Sequence, residues 1–472
     1  MPFSSLLFVF LFLPAFLVAY WLAPRRAKNY TAIGASLVFY AWGAPRFLPV
    51  VCALGVIDFA LGRRIAQARN TVRGKWLLGL GVTMHLSVLA YFKYSNFFVG
   101  QLGELLDQLG YEPLAWTKVA LPIGVSFITF EEISYLTDVY RGDARSARRL
   151  SHYLLFLTLF PHSIAGPIFR WKDLEAQLAE RTSSWTLAQD GFERLARGLA
   201  KKILIADSVA VIADGVFAMS SDQLTPGLAW LGASAYAIQI YFDFSGYSDM
   251  AIGLGKLIGF RFKENFDRPY ISASMTEFWT RWHISLSSWL RDYLYISIGG
   301  NRRGRRRTLV NLMIVFTLSG LWHGAAWTFV LWGMFHGALV ALERVVGRRR
   351  DGLPRVVQHA TTLALVVVGW VLFRAAGTRQ ALDVIAAMFG AVGGAPSPAR
   401  GDFAPNFAVF AFAIGCAIAL VPIAGKYRDR AAEPSVGPLA LVGARLGHVA
   451  LFLLAMVHLT NMRITPLIYF KF

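Results

Sequence analysis

The chain has 472 residues, of which 56% are hydrophobic and 16% are charged, and its formal net charge at pH 7 is +19. This apolar content exceeds that of ordinary soluble domains, so it argues against a soluble globular protein. The basic residues cluster between apolar stretches, which is typical of cytoplasmic membrane loops rather than of a nucleic-acid-binding surface. We therefore expect a membrane protein that contacts anionic lipid headgroups and binds no nucleic acid.

Several apolar stretches approach the length of about 20 residues that a helix needs to cross the hydrocarbon layer. They lie at residues 6–22, 30–42, 47–61, 76–92, 359–373, 407–424 and 439–460. The first stretch has no basic residue before it and three soon after it, which predicts a retained span with an external N-terminus rather than a signal peptide. Cys52 and Cys416 lie inside apolar stretches, which predicts buried thiols rather than a disulfide or a metal site.

No internal repeat is visible, so we predict one membrane domain over residues 1–472. Within it, N-terminal spans occupy 1–92, a motif-rich section 121–343 and C-terminal spans 356–472. Glycine, proline and charge break the apolar pieces of the middle section, at 121–130, 151–169, 203–217 and 229–241. Because irregular backbone at membrane depth must be buried in protein or line a wet cavity, we expect a cavity there. Residues 378–389 are too short to span and are expected to lie along the outer interface.

The pattern of residues in segment 272–300 predicts a single amphipathic helix at the cytoplasmic boundary. Ser274 with Glu277 three residues later forms a capping-box pattern, and aromatic residues recur at helical spacing on one face. His283 belongs to that apolar face, so we expect its imidazole to point inward.

The apolar run 309–342 has arginine clusters on both flanks. If both clusters are cytoplasmic, the chain must enter the membrane, turn near residues 322–325 and return. A helix over residues 309–321 would be only about 20 Å long, too short to cross the hydrocarbon, so the turn is expected inside the membrane. His323 would lie at this turn, between Trp322 and Gly324, and face a cavity.

A histidine at membrane depth is either a packing group or a functional residue. For His323 we predict a general base that takes a hydroxyl proton during acyl transfer, because neutral imidazole suits that role. For His283 we predict a group that donates to a thioester carbonyl or aligns the acceptor. Metal binding by both histidines with Asp243 or Asp249 is a weaker alternative, because their spacing is not that of metal ligands. Five other histidines are interpreted as packing groups: His85, His152, His336, His448 and His458.

Long motifs in a fixed order allow the sequence to be compared with a known family. The strings TEFWTRWHISLSSWLRDYLYISIGGNRRG (276–304) and SGLWHGAAWTFVLWGMFHG (319–337) resemble the membrane-bound O-acyltransferase family, in its bacterial alginate O-acetylase branch. Further similarities are LPIGVSFITFEEISYLTDVYRG (121–142), IAGPIFR (164–170), IADSV (205–209) and YFDFSGYSDMAIGLGKLIGFRFKENFDRPY (241–270).

The resemblance implies an all-α, polytopic fold of about 11–12 transmembrane or re-entrant helices around a central funnel. It implies that His323, in the WHG motif, and His283, in the RWH motif, are the catalytic histidines. The enzyme would take acetyl from a cytoplasmic thioester such as acetyl-CoA, without a tightly bound cofactor or metal. It would pass the acetyl group outward across the bacterial inner membrane to periplasmic acetyltransferase partners, for O-acetylation of an exopolysaccharide such as alginate.

Substrate-binding residues are expected beside these histidines. Trp282, Trp322 and Asn265 belong to the resembling motifs and are assigned to substrate binding. Arg281 and Arg291, with Lys256, are expected to meet the phosphates of the donor. Four positions differ from the pattern expected for the branch and leave both histidines intact: Ile128, Glu131, His162 and Lys471.

Two other classes of function stay open. A transporter or translocation channel would use broken helices as a pathway and histidines as proton relays. A structural subunit would only anchor a periplasmic acetylation complex. Four polar residues around residue 245 are compatible with a structural polar patch: Asp243, Ser245, Tyr247 and Asp249.

Overall fold

The computed structural model describes residues 1–112, 115–163, 166–347, 352–392, 403–421 and 438–461. Throughout these ranges the regular structure is helical and no β-strand occurs. Among the described residues, five helices are long and apolar enough to cross a membrane: Pro45–Gln67, Val72–Gln108, Trp327–Val346, Arg355–Arg374 and Val442–Thr460. The prediction of an all-α, multi-pass membrane protein is confirmed, whereas the total of 11–12 helices around a funnel stays a prediction.

The chain packs as two compact units. The first comprises Met1, Leu7–Ala188 and Gly255–Arg261, and the second comprises Pro2–Leu6, Gln189–Leu254 and Phe262–Phe472. The prediction of one domain over residues 1–472 is not tested by this division and stays a prediction.

The first unit is built from helices α1 to α8. They are α1 (Leu13–Leu22, preceded by a π turn at Phe8–Phe12), α2 (Lys28–Gly43), α3 (Leu48–Gln67), α4 (Val72–Gln108), α5 (Val125–Arg141), α6 (Leu150–Thr158), α7 (Phe160–Ser163) and α8 (Trp171–Ala179). α4 begins at Thr71, whose side chain accepts a hydrogen bond from the backbone N–H of Gly74. α4 has 37 residues, so the predicted span at 76–92 is part of a much longer helix.

The second unit contains the remaining helices, with most of α9 (Trp185–Ala200) and α11 (Pro226–Leu257). The others are α10 (Asp207–Phe217), α12 (Met275–Arg281), α13 (Ile284–Trp289), α14 (Gly304–His323), α15 (Trp327–Val346), α16 (Arg355–Arg374), α17 (Thr378–Met388), α18 (Asn406–Leu420) and α19 (Pro438–Asn461). π turns at Lys201–Ala206 and Leu290–Tyr295 continue α9 and α13. Apolar side chains of α10 to α12 and α15 to α18 form its packed interior.

α11 differs from the sequence prediction. It runs without interruption from Pro226 to Leu257, whereas a broken piece was expected at 229–241. Most of its side chains from residue 233 onward are buried, polar and apolar alike. A helix enclosed by protein on all sides has no amphipathic pattern, so its true length is not visible in the periodicity.

α14 and α15 form the helical hairpin expected from the run 309–342. α14 ends at His323 and α15 begins at Trp327, so the predicted turn near 322–325 is confirmed. The argument from length is wrong, however, because α14 begins at Gly304 and includes three arginines. Its 20 residues give a helix about 30 Å long.

Three further predictions concern peripheral parts of the chain. α17 forms a helix of 11 residues, and its place at the outer interface stays a prediction. Cys52 and Cys416 are both free and half-buried, so the prediction of buried thiols holds only in part. Lys471 and the basic cluster at 426–430 lie outside the described residues.

Candidate functional site

His283 lies between two helices rather than inside one. α12 ends at Arg281, α13 begins at Ile284, and His283 has φ 45° and ψ 54°, in the left-handed region. The prediction of one helix over residues 272–300 is therefore wrong at this position. The predicted start of the helix is confirmed, because the Ser274 hydroxyl accepts a hydrogen bond from the backbone N–H of Glu277. A non-glycine residue in this conformation is held by its surroundings and is frequent at functional sites.

The surroundings of His283 set its tautomer. Its Nδ1 lies 3.1 Å from Asn265 Oδ1, which also accepts hydrogen bonds from the backbone N–H of Ser285 at 3.2 Å and from the Ser285 hydroxyl at 2.8 Å. Asn265 Nδ2 donates to the Ser248 hydroxyl at 3.1 Å. A backbone N–H can only donate, so the Asn265 atom that contacts the N–H of Ser285 must be the amide oxygen. That oxygen can only accept hydrogen bonds. Nδ1 of His283 therefore carries the proton, and Nε2 is left as an acceptor.

His283 is neutral in this environment. The residue is buried, and burial lowers the pKa of its imidazole to about 3. Nε2 is buried and has no hydrogen-bond partner among the described residues. The confirmed inward orientation of His283 thus presents a neutral imidazole with an available acceptor nitrogen.

His323 is the last residue of α14 and is 6% exposed. Its ring centre lies 5.0 Å from the Trp322 ring, 5.1 Å from Trp332 and 5.2 Å from Phe373. The Trp322 ring also lies 6.5 Å from the His283 ring. The two histidines, 40 positions apart in the sequence, are therefore brought to the same indole.

A third histidine lies among the same aromatic rings. These rings are called the aromatic layer and belong to Trp279, Trp282, Trp322, Trp332, Trp370 and Phe373. The His336 ring lies 5.0 Å from Trp332 and 5.1 Å from Trp279, and neither of its nitrogens has a hydrogen-bond partner among the described residues. The sequence interpretation treated His336 as an ordinary packing residue. The tripeptide FHG, which repeats the form of WHG one helix later, is the signal that could have placed it near His323.

A cavity of about 580 Å³ lies between α12, α13, α14 and α15. Its walls are mainly apolar, with Leu286, Leu290 and Phe316 among them, and Arg291 and Arg344 also line it. This volume is within the range of small-molecule binding sites. Neither His283 nor His323 lines the cavity, but Leu286 and Ser319 do, and each lies within about one helical turn of a histidine.

The structure separates the residues assigned to substrate binding. Arg291 lines the cavity and also pairs with Asp292 at 2.7 Å. Arg281 is paired with Glu277 at 3.0 Å and with Asp267 at 3.3 Å, away from the cavity lining.

The other three assigned residues are buried around the histidines. Trp282 and Trp322 lie in the aromatic layer, where the Trp282 ring is 4.7 Å from the Trp370 ring. Asn265 is fully buried, and its hydrogen bonds go to His283, Ser285 and Ser248.

Asp243 and Asp249 form buried ion pairs. Asp249 lies 2.6 Å from Arg194 and 2.7 Å from Lys201, and Asp243 lies 2.7 Å from Lys202. Each carboxylate is thus neutralised by a basic side chain from α9 or the π turn after it. These ion pairs agree with the prediction of a structural polar patch. The two carboxylates are paired with basic side chains, however, rather than with helix ends.

The sequence of this chain is similar to known proteins of one family. The model of the membrane-bound O-acyltransferase family matches residues 77–374, a range that contains both histidines. The chain is 51% identical over 394 residues to the probable alginate O-acetylase AlgI of Azotobacter vinelandii, a match that covers 82% of this chain and 78% of that protein. The protein of the same name from Pseudomonas aeruginosa is 50% identical over 394 residues, covering 82% and 75%.

A more distant relative is the peptidoglycan O-acetyltransferase of Helicobacter pylori, 33% identical over 425 residues that cover 82% of this chain and 80% of that protein. These three relatives therefore align with this chain over at least 75% of their own length. The chain belongs to the membrane-bound O-acyltransferase family.

Proposed function

We propose that this membrane acyltransferase transfers acetyl from a cytoplasmic thioester to an acceptor hydroxyl, with His323 as the general base. The observation that carries the proposal is the pair of buried imidazoles, His283 and His323, that share contact with Trp322. The names of the relatives support acetyl as the acyl group and an exopolysaccharide such as alginate as the final acceptor. Membership of an acyltransferase family favours this function over a transporter or an anchoring subunit.

The chemistry needs a base that works near neutral pH. As the acceptor oxygen attacks the thioester carbonyl, His323 takes the hydroxyl proton and a C–O bond forms. The tetrahedral intermediate then collapses, the C–S bond breaks, and the proton passes from the imidazolium to the leaving sulfur. The surrounding aromatic rings exclude bulk water, which suppresses hydrolysis of the thioester.

The tautomer of His283 supports one of its two expected roles. Donation to the thioester carbonyl would need a proton on Nε2, whereas Asn265 holds the proton on Nδ1. His283 therefore aligns the acceptor by receiving a hydrogen bond on Nε2. Asn265 acts through His283 as a positioning residue instead of contacting substrate.

The cavity between α12 and α15 is our candidate donor site. Its apolar walls suit the acyl-bearing arm of acetyl-CoA or a similar thioester, and Arg291 and Arg344 are placed to meet anionic groups. The basic loops support a donor that approaches from the cytoplasm. Inner-membrane location and onward transfer by periplasmic acetyltransferase partners complete the proposal.

Substitution of His323 tests the assignment. Purified His323→Ala protein should transfer labelled acetyl from acetyl-CoA at least about 100-fold more slowly than wild type, because the general base is lost. It should still fractionate with the membrane. His152→Ala, which changes a half-buried histidine of the first unit, should keep wild-type activity. Full acetylation by the His323→Ala protein would refute the proposal, and loss of complex assembly with intact chemistry would favour an anchoring subunit.

A further inference from the structure

Four helices of the first unit converge on a buried cluster of ionisable side chains. Asp58 of α3, His85 of α4 and Glu132 of α5 are each at most 1% exposed. His85 Nε2 lies 2.8 Å from Asp58 Oδ1, and His85 Nδ1 lies 2.8 Å from Glu132 Oε2. Tyr153 of α6 donates a hydrogen bond to Asp58 Oδ2 at 2.9 Å. The interpretation of His85 as an ordinary packing residue therefore missed two carboxylate partners.

The charge of this cluster depends on the ionisation of its two carboxylates. When both are ionised, the cluster carries a formal charge of −1 even with a protonated imidazole, within helices of which two are long and apolar enough to cross a membrane. An uncompensated buried charge is strongly unfavourable. A divalent cation with a neutral imidazole would make the same three side chains neutral.

The cluster also has unused lone pairs. Glu132 Oε1 is buried without a hydrogen-bond partner among the described residues. His85 Nδ1 is close to Glu132 Oε2, but their orientation does not give a hydrogen bond of good geometry. In the neutral ring with its proton on Nε2, which faces Asp58, Nδ1 and Glu132 Oε2 are two buried acceptors 2.8 Å apart, and such a pair suits a shared positive ligand.

We propose that Asp58, His85 and Glu132 bind a divalent transition-metal ion, and that zinc fits the ligand set. One ligand atom from each residue lies within 4.8 Å of the other two. Zinc binds imidazole nitrogen and carboxylate oxygen at about 2.0–2.2 Å, so its ligands lie about 3.3 Å apart and small side-chain shifts complete the site. Water or Glu132 Oε1 supplies the fourth ligand, and the Tyr153 hydroxyl orients Asp58.

A neighbouring pair provides a matched control. Glu131 Oε1 lies 2.9 Å from His162 Nδ1, and both residues are fully buried. This pair is balanced in charge, with one carboxylate for one imidazole, and it is not part of the metal-ligand group. Glu131→Gln therefore removes a buried carboxylate next to Glu132 without removing a proposed ligand.

Metal analysis of the full-length protein tests the proposal. Protein purified in detergent without chelator and supplied with Zn²⁺ should retain about one zinc ion per chain after desalting, as a structural site does. Asp58→Asn and Glu132→Gln should lower zinc content to background, and Glu131→Gln should keep it. In wild type, Zn²⁺ at about 100 times its Kd should raise the unfolding temperature by about 5 °C, and EDTA should reverse the shift.

Two results would overturn the site. One is wild-type protein that neither retains zinc nor shows a zinc-dependent shift in unfolding temperature, a measurement that does not depend on how the variants fold. The other is an equal zinc content in wild type, Asp58→Asn and Glu132→Gln, which would mean adventitious binding elsewhere on the chain.

Discussion

At His283 one imidazole nitrogen faces the amide of Asn265 and, at 3.4 Å, the hydroxyl of Ser285. Asn265 Oδ1 faces Nδ1 at 3.1 Å, and burial keeps the ring neutral. The pair lies outside the candidate membrane spans. This arrangement makes the protonation state of His283 sensitive to a charge at position 265, because burial rather than a neighbouring charge lowers its pKa.

Replacing Asn265 with Asp should therefore change the pH dependence of transfer. A carboxylate next to Nδ1 raises the pKa of His283 from about 3, and a protonated imidazole cannot accept a hydrogen bond on Nε2. We expect the acidic limb of the pH–rate profile to move to higher pH. Ser248→Ala, which removes a partner of the Asn265 amide without adding charge, should leave that limb in place. An unchanged profile for Asn265→Asp would contradict the positioning role.

Two residues that differ from the expected branch pattern are partners of each other. Glu131 and His162 form a buried contact of 2.9 Å, so the two differences belong to one interaction. Ile128 packs in a small apolar cluster with Tyr40 and Val51. These differences thus concern the interior of the first unit and leave the two candidate catalytic histidines unchanged.

At the scale of elements, the close approach of α14 and α15 places His323. A Cβ atom on Gly320 would overlap the carbonyl oxygen of Phe329, and one on Gly333 would overlap the carbonyl oxygen of Phe316. Glycine at both positions therefore lets the two backbones touch. Gly320 lies one turn before His323, so the separation of the helices sets the position of the imidazole.

Gly320→Ala and Gly333→Ala should both push these helices apart. We expect each variant to lose about 1–3 kcal/mol of stability through overpacking. A displacement of His323 by about 1 Å should lower the transfer rate by about 100-fold. Thermal unfolding and acetyl-transfer assays measure the two effects. Gly447→Ala in α19, where an added Cβ meets nothing within 4 Å, is the matched control and should be neutral or slightly stabilising. Wild-type behaviour of Gly320→Ala would show that the contact does not position His323.

At the scale of the whole molecule, the distribution of basic and apolar residues predicts how the chain lies in the membrane. The basic clusters at 63–75 and 302–307 are expected on the cytoplasmic side, and α4, which begins at Val72, should bring residue 112 to the outside. The same orientation would give the thioester donor access from the basic side.

Cysteine labelling tests this topology. In a protein with Cys52→Ser and Cys416→Ser, a membrane-impermeant maleimide applied to intact spheroplasts should label Glu112→Cys. It should label Arg73→Cys and Arg306→Cys only after the membrane is permeabilised, because both positions lie in basic clusters. Labelling of Arg306→Cys in intact spheroplasts would contradict the assigned orientation.

Local patterns in the sequence determined the membrane class and the α14–α15 turn and singled out the two candidate histidines, because hydropathy, helix spacing and long motifs are properties of neighbouring residues. Only the tertiary structure decided how single side chains from different helices meet. Asn265 reaches His283 across 18 positions, and His85 reaches Asp58 across 27, so no local period records either contact. The break at His283 is also invisible in the sequence, because the left-handed backbone there is held by packing and hydrogen bonds rather than by the propensity of histidine.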